Sequence, residues 1–142
     1  LFAGSDPRGP ALVAYLAGLG AATTPARQAD LAAWRPALVP GSAAEAVQAG
    51  RLFAEACACC HGAAGRGDGP LAAQLSDQPP DFRRNRWRQG AANGSVSVEA
   101  VARVIKFGEA GTPMAGHEYL DDADAVALAR FVITLHGPAQ PL

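Results

Sequence analysis

Large apolar residues recur at helical spacing in four places along the chain, separated by polar and glycine-rich stretches. Leu12, Tyr15, Leu16 and Leu19 follow the i, i+3, i+4, i+7 rhythm of an amphipathic helix that Gly18 and Gly20 bring to an end. Ser42, followed three residues later by Glu45, makes a capping box. A second helix is therefore predicted from there to about Cys59, burying Val47, Leu52 and Phe53. Ser97 caps a third helix that carries Val98, Val101, Val104 and Ile105 and stops near Gly108. Asp121 or Asp122 opens the last, with Leu128, Phe131, Val132 and Leu135 on one face and Gly137-Pro138 as its stop. Residues 62–94 are broken by Gly65, Gly67, Gly69, Pro70, Pro79, Pro80 and Gly90, with a short turn of helix over Leu71–Leu75. Residues 109–120 read as another loop. No stretch alternates with the period of a strand, so the fold class is all-α, built from three to five short helices.

The segment Ala11–Gly20 superimposes on Ala127–His136, pairing Leu12 with Leu128, Tyr15 with Phe131, Leu16 with Val132 and Leu19 with Leu135. Two readings stay open. Any Leu-rich amphipathic helix would match as well, or residues 1–20 are the last helix of a preceding domain of the same kind. Pro25, Pro36 and Pro40 interrupt residues 21–41, which read as a linker with a helical turn around Ala29–Trp34. The main domain is expected over 42–138. Leu1 has neither a basic start nor an initiator Met, so the chain reads as a mature or excised piece of something longer.

Charge narrows the partners. The formal net charge is −1 and only 18% of residues are charged, which gives no reason to expect nucleic acid or an anionic membrane surface. The best apolar stretch, Ala11–Gly20, is too short to span a bilayer. Aromatic residues make up only 6% of the chain, so it is poor in the large side chains that fill a core. A large buried cofactor would supply part of that missing apolar mass.

The three cysteines fall between positions 57 and 60, where a disulfide framework would have spread them out. Cys57-Ala-Cys-Cys60-His61 contains C-x-x-C-H, the attachment signature of c-type haem. Two thiols three residues apart on a helical turn each reach one vinyl group of the same porphyrin, and His61 then lies under the iron. Cys59 falls outside that register. It reads as an incidental small residue facing solvent, or as a site of oxidation or intermolecular disulfide. Zinc would need a second pair of ligands, and His117 and His136 stand alone. A thioredoxin-like site would need strands. The expected cofactor is thus haem c, one per chain.

Electron transfer calls for a second axial ligand. The single methionine, Met114, lies in the loop Gly111-Thr-Pro-Met-Ala-Gly116 between two helices, off any helix stripe. It is the candidate, with His117 as rival; otherwise His117 reads as an exposed loop histidine. A vacant iron would instead suit a haem peroxidase or a small-gas sensor. Arg83, Arg84, Arg86 and Arg88 surround Trp87. They read either as propionate or acidic-partner contacts, or as a solvated basic loop.

Four features in order resemble the class I bacterial cytochromes c, over residues 43–136. These are Gly50-Arg-Leu-Phe53, Cys57–Gly62, Gly67-Asp-Gly-Pro70, and Gly111-Thr-Pro-Met114 with the Leu128/Phe131/Leu135 helix after it. The resemblance implies short helices wrapped around one covalent haem. It implies that Gly50 lets the last helix cross closely while Phe53 packs beside it. It also implies that the Pro70 carbonyl accepts the Nδ1–H of His61 and that Met114 is the distal ligand. Ala115 departs from the proline common after that methionine. The stretch from Gly67 to Phe82 resembles mono-haem domains of respiratory oxidase and dehydrogenase subunits. That implies electron transfer rather than catalysis, redox proteins or other subunits of a membrane respiratory complex as partners, and the periplasmic side of a bacterial membrane.

Overall fold

Ser42 starts the first helix of the fold as the capping box predicts: its hydroxyl accepts the Glu45 N–H, and the Glu45 carboxylate accepts the Ser42 N–H. The computed structural model describes residues 32–84 and 96–136. The expected helix of residues 1–20 and its repeat, most of the linker, the Arg86–Arg88 cluster and the Gly137-Pro138 stop lie outside them.

This helix, α1, runs Ala43–Leu52. The chain then makes one π-helical turn, Phe53–Cys57, before a last α-helical turn, α2, over Ala58–His61. The sequence predicted one unbroken helix to Cys59. The bulge closes where the Ala58 N–H reaches the Phe53 carbonyl, five residues back instead of four. The extra residue shifts the phase of everything after it, so it re-aims Cys57 to His61 relative to α1. The expected burial of Val47 fails as well, because Val47 is 59% exposed. The inward stripe is Ala49 and Phe53, and a residue two positions from Ala49 points to the far side of a 3.6-residue turn.

Two 3₁₀ turns follow, Ala72–Gln74 within the predicted Leu71–Leu75 region and Phe82–Arg84 after it. The third α-helix, α3, spans Val98–Phe107 with the Ser97 hydroxyl capping the Ala100 N–H, and buries Val101, Ala102 and Ile105. The fourth, α4, spans Asp122–Thr134 with Asp121 as its cap, and buries Ala125, Val126, Leu128, Ala129 and Val132. It lies against both α1 and α3, and these three helices enclose the core. Among the described residues the one β-type pairing is an isolated antiparallel bridge between Gly108 and Ala115. Among them, no helix is long and apolar enough to cross a membrane.

Gly50 is where α1 meets α4. A Cβ placed there would lie 3.4 Å from the Phe131 ring, and Phe131 in turn packs on Phe53 with ring centroids 5.3 Å apart. The neighbouring Phe is as the resemblance implied, but what faces Gly50 is the Phe131 ring and not the α4 backbone.

Candidate functional site

Cys57, Cys60 and His61 lie along the π-helical turn and α2, all half-buried and with both cysteines free thiols. Glycines let the following loop fold back over them. Gly62 has φ +77°, and a Cβ there would meet the Asp68 carboxylate. Gly69 presses on the helix backbone itself: a Cβ would fall 2.5 Å from the Cys59 carbonyl oxygen and 2.6 Å from that of Ala58. The Gly69 and Leu71 N–H groups donate to the carbonyls of Cys60 and Cys59 at 3.2 and 2.9 Å. The exposed carbonyls at the end of α2 are thereby satisfied by the loop rather than by water.

The His61 ring stacks on Phe82 with centroids 4.8 Å apart and planes inclined by 21°. Its Nδ1 is buried and has no hydrogen-bond partner among the described residues. The expected bond to the Pro70 carbonyl is therefore not made. The ring lies flat on Phe82 instead, and Pro70 itself is exposed. Burial pulls the His61 pKa down to about 4, helped by the nearby charge of His117, so the imidazole is neutral, the ligating form.

The thiols differ from one another. Burial pushes Cys57 up to about 12. The Cys59 and Cys60 sulfurs lie 3.8 Å apart, and the hydrogen bond between them raises Cys60 and lowers Cys59 to about 6. Cys59 is half-buried, which corrects the expectation that it faces solvent. Its position between the two attachment cysteines on a tight helical turn leaves its sulfur against Cys60.

Met114 is half-buried on the loop joining α3 to α4, and that loop is tied down at several points. The Glu109 N–H donates to the Met114 carbonyl at 3.0 Å, and the Thr112 hydroxyl donates to the Glu109 carbonyl at 2.9 Å. The same hydroxyl accepts the Met114 N–H at 3.1 Å. Gly108 has φ +79°, and a Cβ there would collide with the Met114 carbonyl at 2.6 Å. His117 is half-buried too, which corrects its reading as an exposed loop histidine, and burial lowers the pKa of its ring while the Ile105 and Ala115 backbone offsets part of that. Its backbone N–H holds the Ile105 carbonyl at 2.9 Å.

Of the basic cluster, Arg83 forms two side-chain hydrogen bonds to the Asp81 carboxylate, at 2.8 and 2.7 Å, and Arg84 lies 3.5 Å from it. Sequence reasoning missed Asp81 as the partner of these arginines, although a carboxylate two and three residues away was the available signal.

These residues fit a covalently held haem. Two thiols on one turn can each take a thioether, and the adjacent neutral imidazole is a metal donor with a buried nitrogen that no described group satisfies. Among the described residues no three His, Cys, Asp or Glu side chains converge to hold a bare metal ion.

Comparison with known proteins agrees. No curated protein matches the chain. A chain of the reducing HAO-like protein complex of Kuenenia stuttgartiensis superimposes on 71% of it with a TM-score of 0.63 and 25% identity. The match spans 48% of that longer chain. Residues 44–132 match the family described as cytochrome c oxidase, cbb3-type, subunit III. With more than half of its length and its C-x-x-C-H turn inside that match, the chain belongs to this family of class I c-type cytochrome domains, which bind haem c covalently and transfer electrons through it.

Proposed function

We propose that this chain is an electron-transfer domain in which Cys57 and Cys60 would anchor haem c and His61 and Met114 would be the ligands of its iron. Haem c supplies a one-electron iron couple when bound. The anchoring thiols fix the orientation of the group against α2. The neutral His61 gives a nitrogen donor that no proton occupies at neutral pH. Met114 gives a soft thioether, which raises the potential relative to a nitrogen donor.

One observation carries the second ligand. Met114 is half-buried on the loop joining α3 to α4, and the antiparallel bridge between Gly108 and Ala115 ties that loop off beside it. A loop so tied, and held by Thr112 and Glu109, can present a thioether to the iron.

Two protein ligands leave no position for a substrate, so the domain relays electrons and transforms nothing itself. The similarity to part of a longer chain from a protein complex supports a place within a larger respiratory assembly, with redox proteins or sister subunits as partners. Covalent haem attachment of this type takes place outside the cytoplasm, which supports the periplasmic side of a bacterial membrane. The test is the absorption spectrum of the haem-loaded, oxidised protein. A methionine-to-iron charge-transfer band is expected in the wild type and lost in Met114→Leu. High-spin bands and rapid carbon monoxide binding in the wild type would overturn the reading.

A further inference from the structure

We propose that the strap of residues 32–41 is a lock on the Met114 loop, and that Trp34 is a positioning residue for the distal ligand. The proposal rests on the His61/Met114 reading and goes beyond it by naming what outside the loop holds that ligand in place.

The loop leaves α3 after Phe107 and ends at Asp121, the cap of α4. Its neck is therefore a pair of helix ends, with Lys106 and Phe107 on one side and Leu120 and Asp122 on the other. Lys106 spans the neck: its ammonium donates to the Leu120 carbonyl and pairs with the Asp122 Oδ1 at 3.0 Å. Trp34 spans it a second time. Its Nε1–H donates to the other oxygen of the same carboxylate, Oδ2, at 3.1 Å, and its ring meets Phe107 edge-on with centroids 5.5 Å apart. One carboxylate thus joins the end of α3, the start of α4 and the strap.

The strap is itself secured at both ends. Arg103, one turn before Phe107 on α3, donates to the Trp34 carbonyl at 3.2 Å and sets its guanidinium 5.8 Å from the centre of the Trp34 ring. Arg130 of α4 donates to the Val39 carbonyl. Trp34 is half-buried and packs on the core from outside, while α1, α3 and α4 bury their own apolar residues against one another. Its contacts are concentrated at the neck rather than in that core.

The hydrogen bonds of Thr112 and Glu109 shape the loop from within, but they do not tie its two ends together. Lys106 and Trp34 do. A loop ordered in advance gives up little conformational freedom when its methionine binds, so the thioether competes better for the iron. With the neck released, the loop must be ordered each time Met114 approaches, and an added ligand gains on it.

The test uses the haem-loaded full chain as wild type, Trp34→Ala, Trp34→Phe and Gly50→Leu. Imidazole is titrated into the oxidised protein, and its apparent Kd, read from loss of the methionine band, measures how firmly Met114 is held. Trp34→Ala should bind imidazole about tenfold more tightly than wild type, the shift expected when a hydrogen bond and its ring contact no longer favour the closed neck. Trp34→Phe keeps a ring against Phe107 and should fall between the two. Gly50→Leu loosens the helix crossing at the Phe131 end of α4 and should lose thermal stability without that gain. Lys106→Met opens the neck from the other side, with the same expected gain, and serves if Trp34→Ala folds poorly. Covalent haem on a denaturing gel and helical circular dichroism show that each variant is loaded and folded. Imidazole binding unchanged in the Trp34 and Lys106 variants overturns the lock and leaves the Met114 reading intact. So does an equal gain in Gly50→Leu, since any loss of stability then suffices. A wild type without the methionine band overturns the Met114 reading and the lock with it.

Discussion

Asp81 is the clearest case of a single residue setting a local structure. Its carboxylate holds the Arg83 N–H and guanidinium and lies against Arg84, and the Arg83 hydrogen bonds bring its pKa down to about 2 from 3.8. A carboxyl with a lowered folded-state pKa stabilises the fold only while ionised. Its contribution is therefore complete above pH 3.8 and is lost as pH falls from there through about 2. Asp81→Asn should unfold earlier than wild type in denaturant at pH 6, with the gap closing between those two values. A gap that persists at lower pH would show that packing, not charge, is what the substitution removes. Thr112 carries a larger effect. It is 8% exposed, the one buried polar side chain among the described residues, and it bonds on both sides to the Met114 loop. Thr112→Val keeps the shape and leaves the Met114 N–H unsatisfied, at a cost of about 1–3 kcal/mol. Thermal unfolding should show that loss, and the methionine band should weaken while covalent haem content stays the same.

At the level of elements, the junction of α1 and α4 separates two accounts of Gly50. If backbone had to touch backbone there, alanine would be excluded. The near neighbour is instead the edge of the Phe131 ring, at an ordinary contact distance of 3.4 Å from where an alanine methyl would sit. Gly50→Ala should be neutral or raise the melting temperature, since alanine gains about 1 kcal/mol over glycine inside a helix. Gly50→Leu should wedge the helices apart and lose about 1–3 kcal/mol. Equal destabilisation by both would mean that the helices lie closer than this structure has them. The helix ends were legible in the sequence because caps are local: Ser42, Ser97 and Asp121 each act within three residues of themselves. The π-helical turn was not, because nothing in Phe53–Cys57 departs from a helical pattern. It emerges only when the Ala49–Phe53 stripe must meet α4 while Cys57–His61 face elsewhere. Val47 was misplaced for the same reason, since apolar character alone does not say which of two stripes a neighbouring helix will cover.

For the molecule as a whole, the chemistry was more legible than the architecture that holds it. Cys57, Cys60 and His61 are encoded within five positions, and Met114 is the sole methionine of the 142 residues, so both stand out without any knowledge of packing. The segment before α1 did not stand out. Read as linker, its residues 32–41 strap onto the core through Trp34, which donates to Asp122 at 3.1 Å and meets Phe107 edge-on with centroids 5.5 Å apart. Lys106 closes the clasp by pairing with the same Asp122 carboxylate at 3.0 Å. Those partners lie 88 residues from Trp34 in the case of Asp122, beyond the reach of any local pattern. The Pro70 expectation failed at this scale too. Its loop position is right, but the orientation of the His61 ring is decided by Phe82, which arrives from a separate turn.

A near-infrared absorption spectrum of the oxidised, haem-loaded protein decides whether His61 and Met114 are the ligand pair of one haem. With one methionine in the sequence, a methionine-to-iron band has a single source. That band is expected in the wild type and is lost completely in Met114→Leu. A wild-type spectrum without it would mean that Met114 does not ligate the iron.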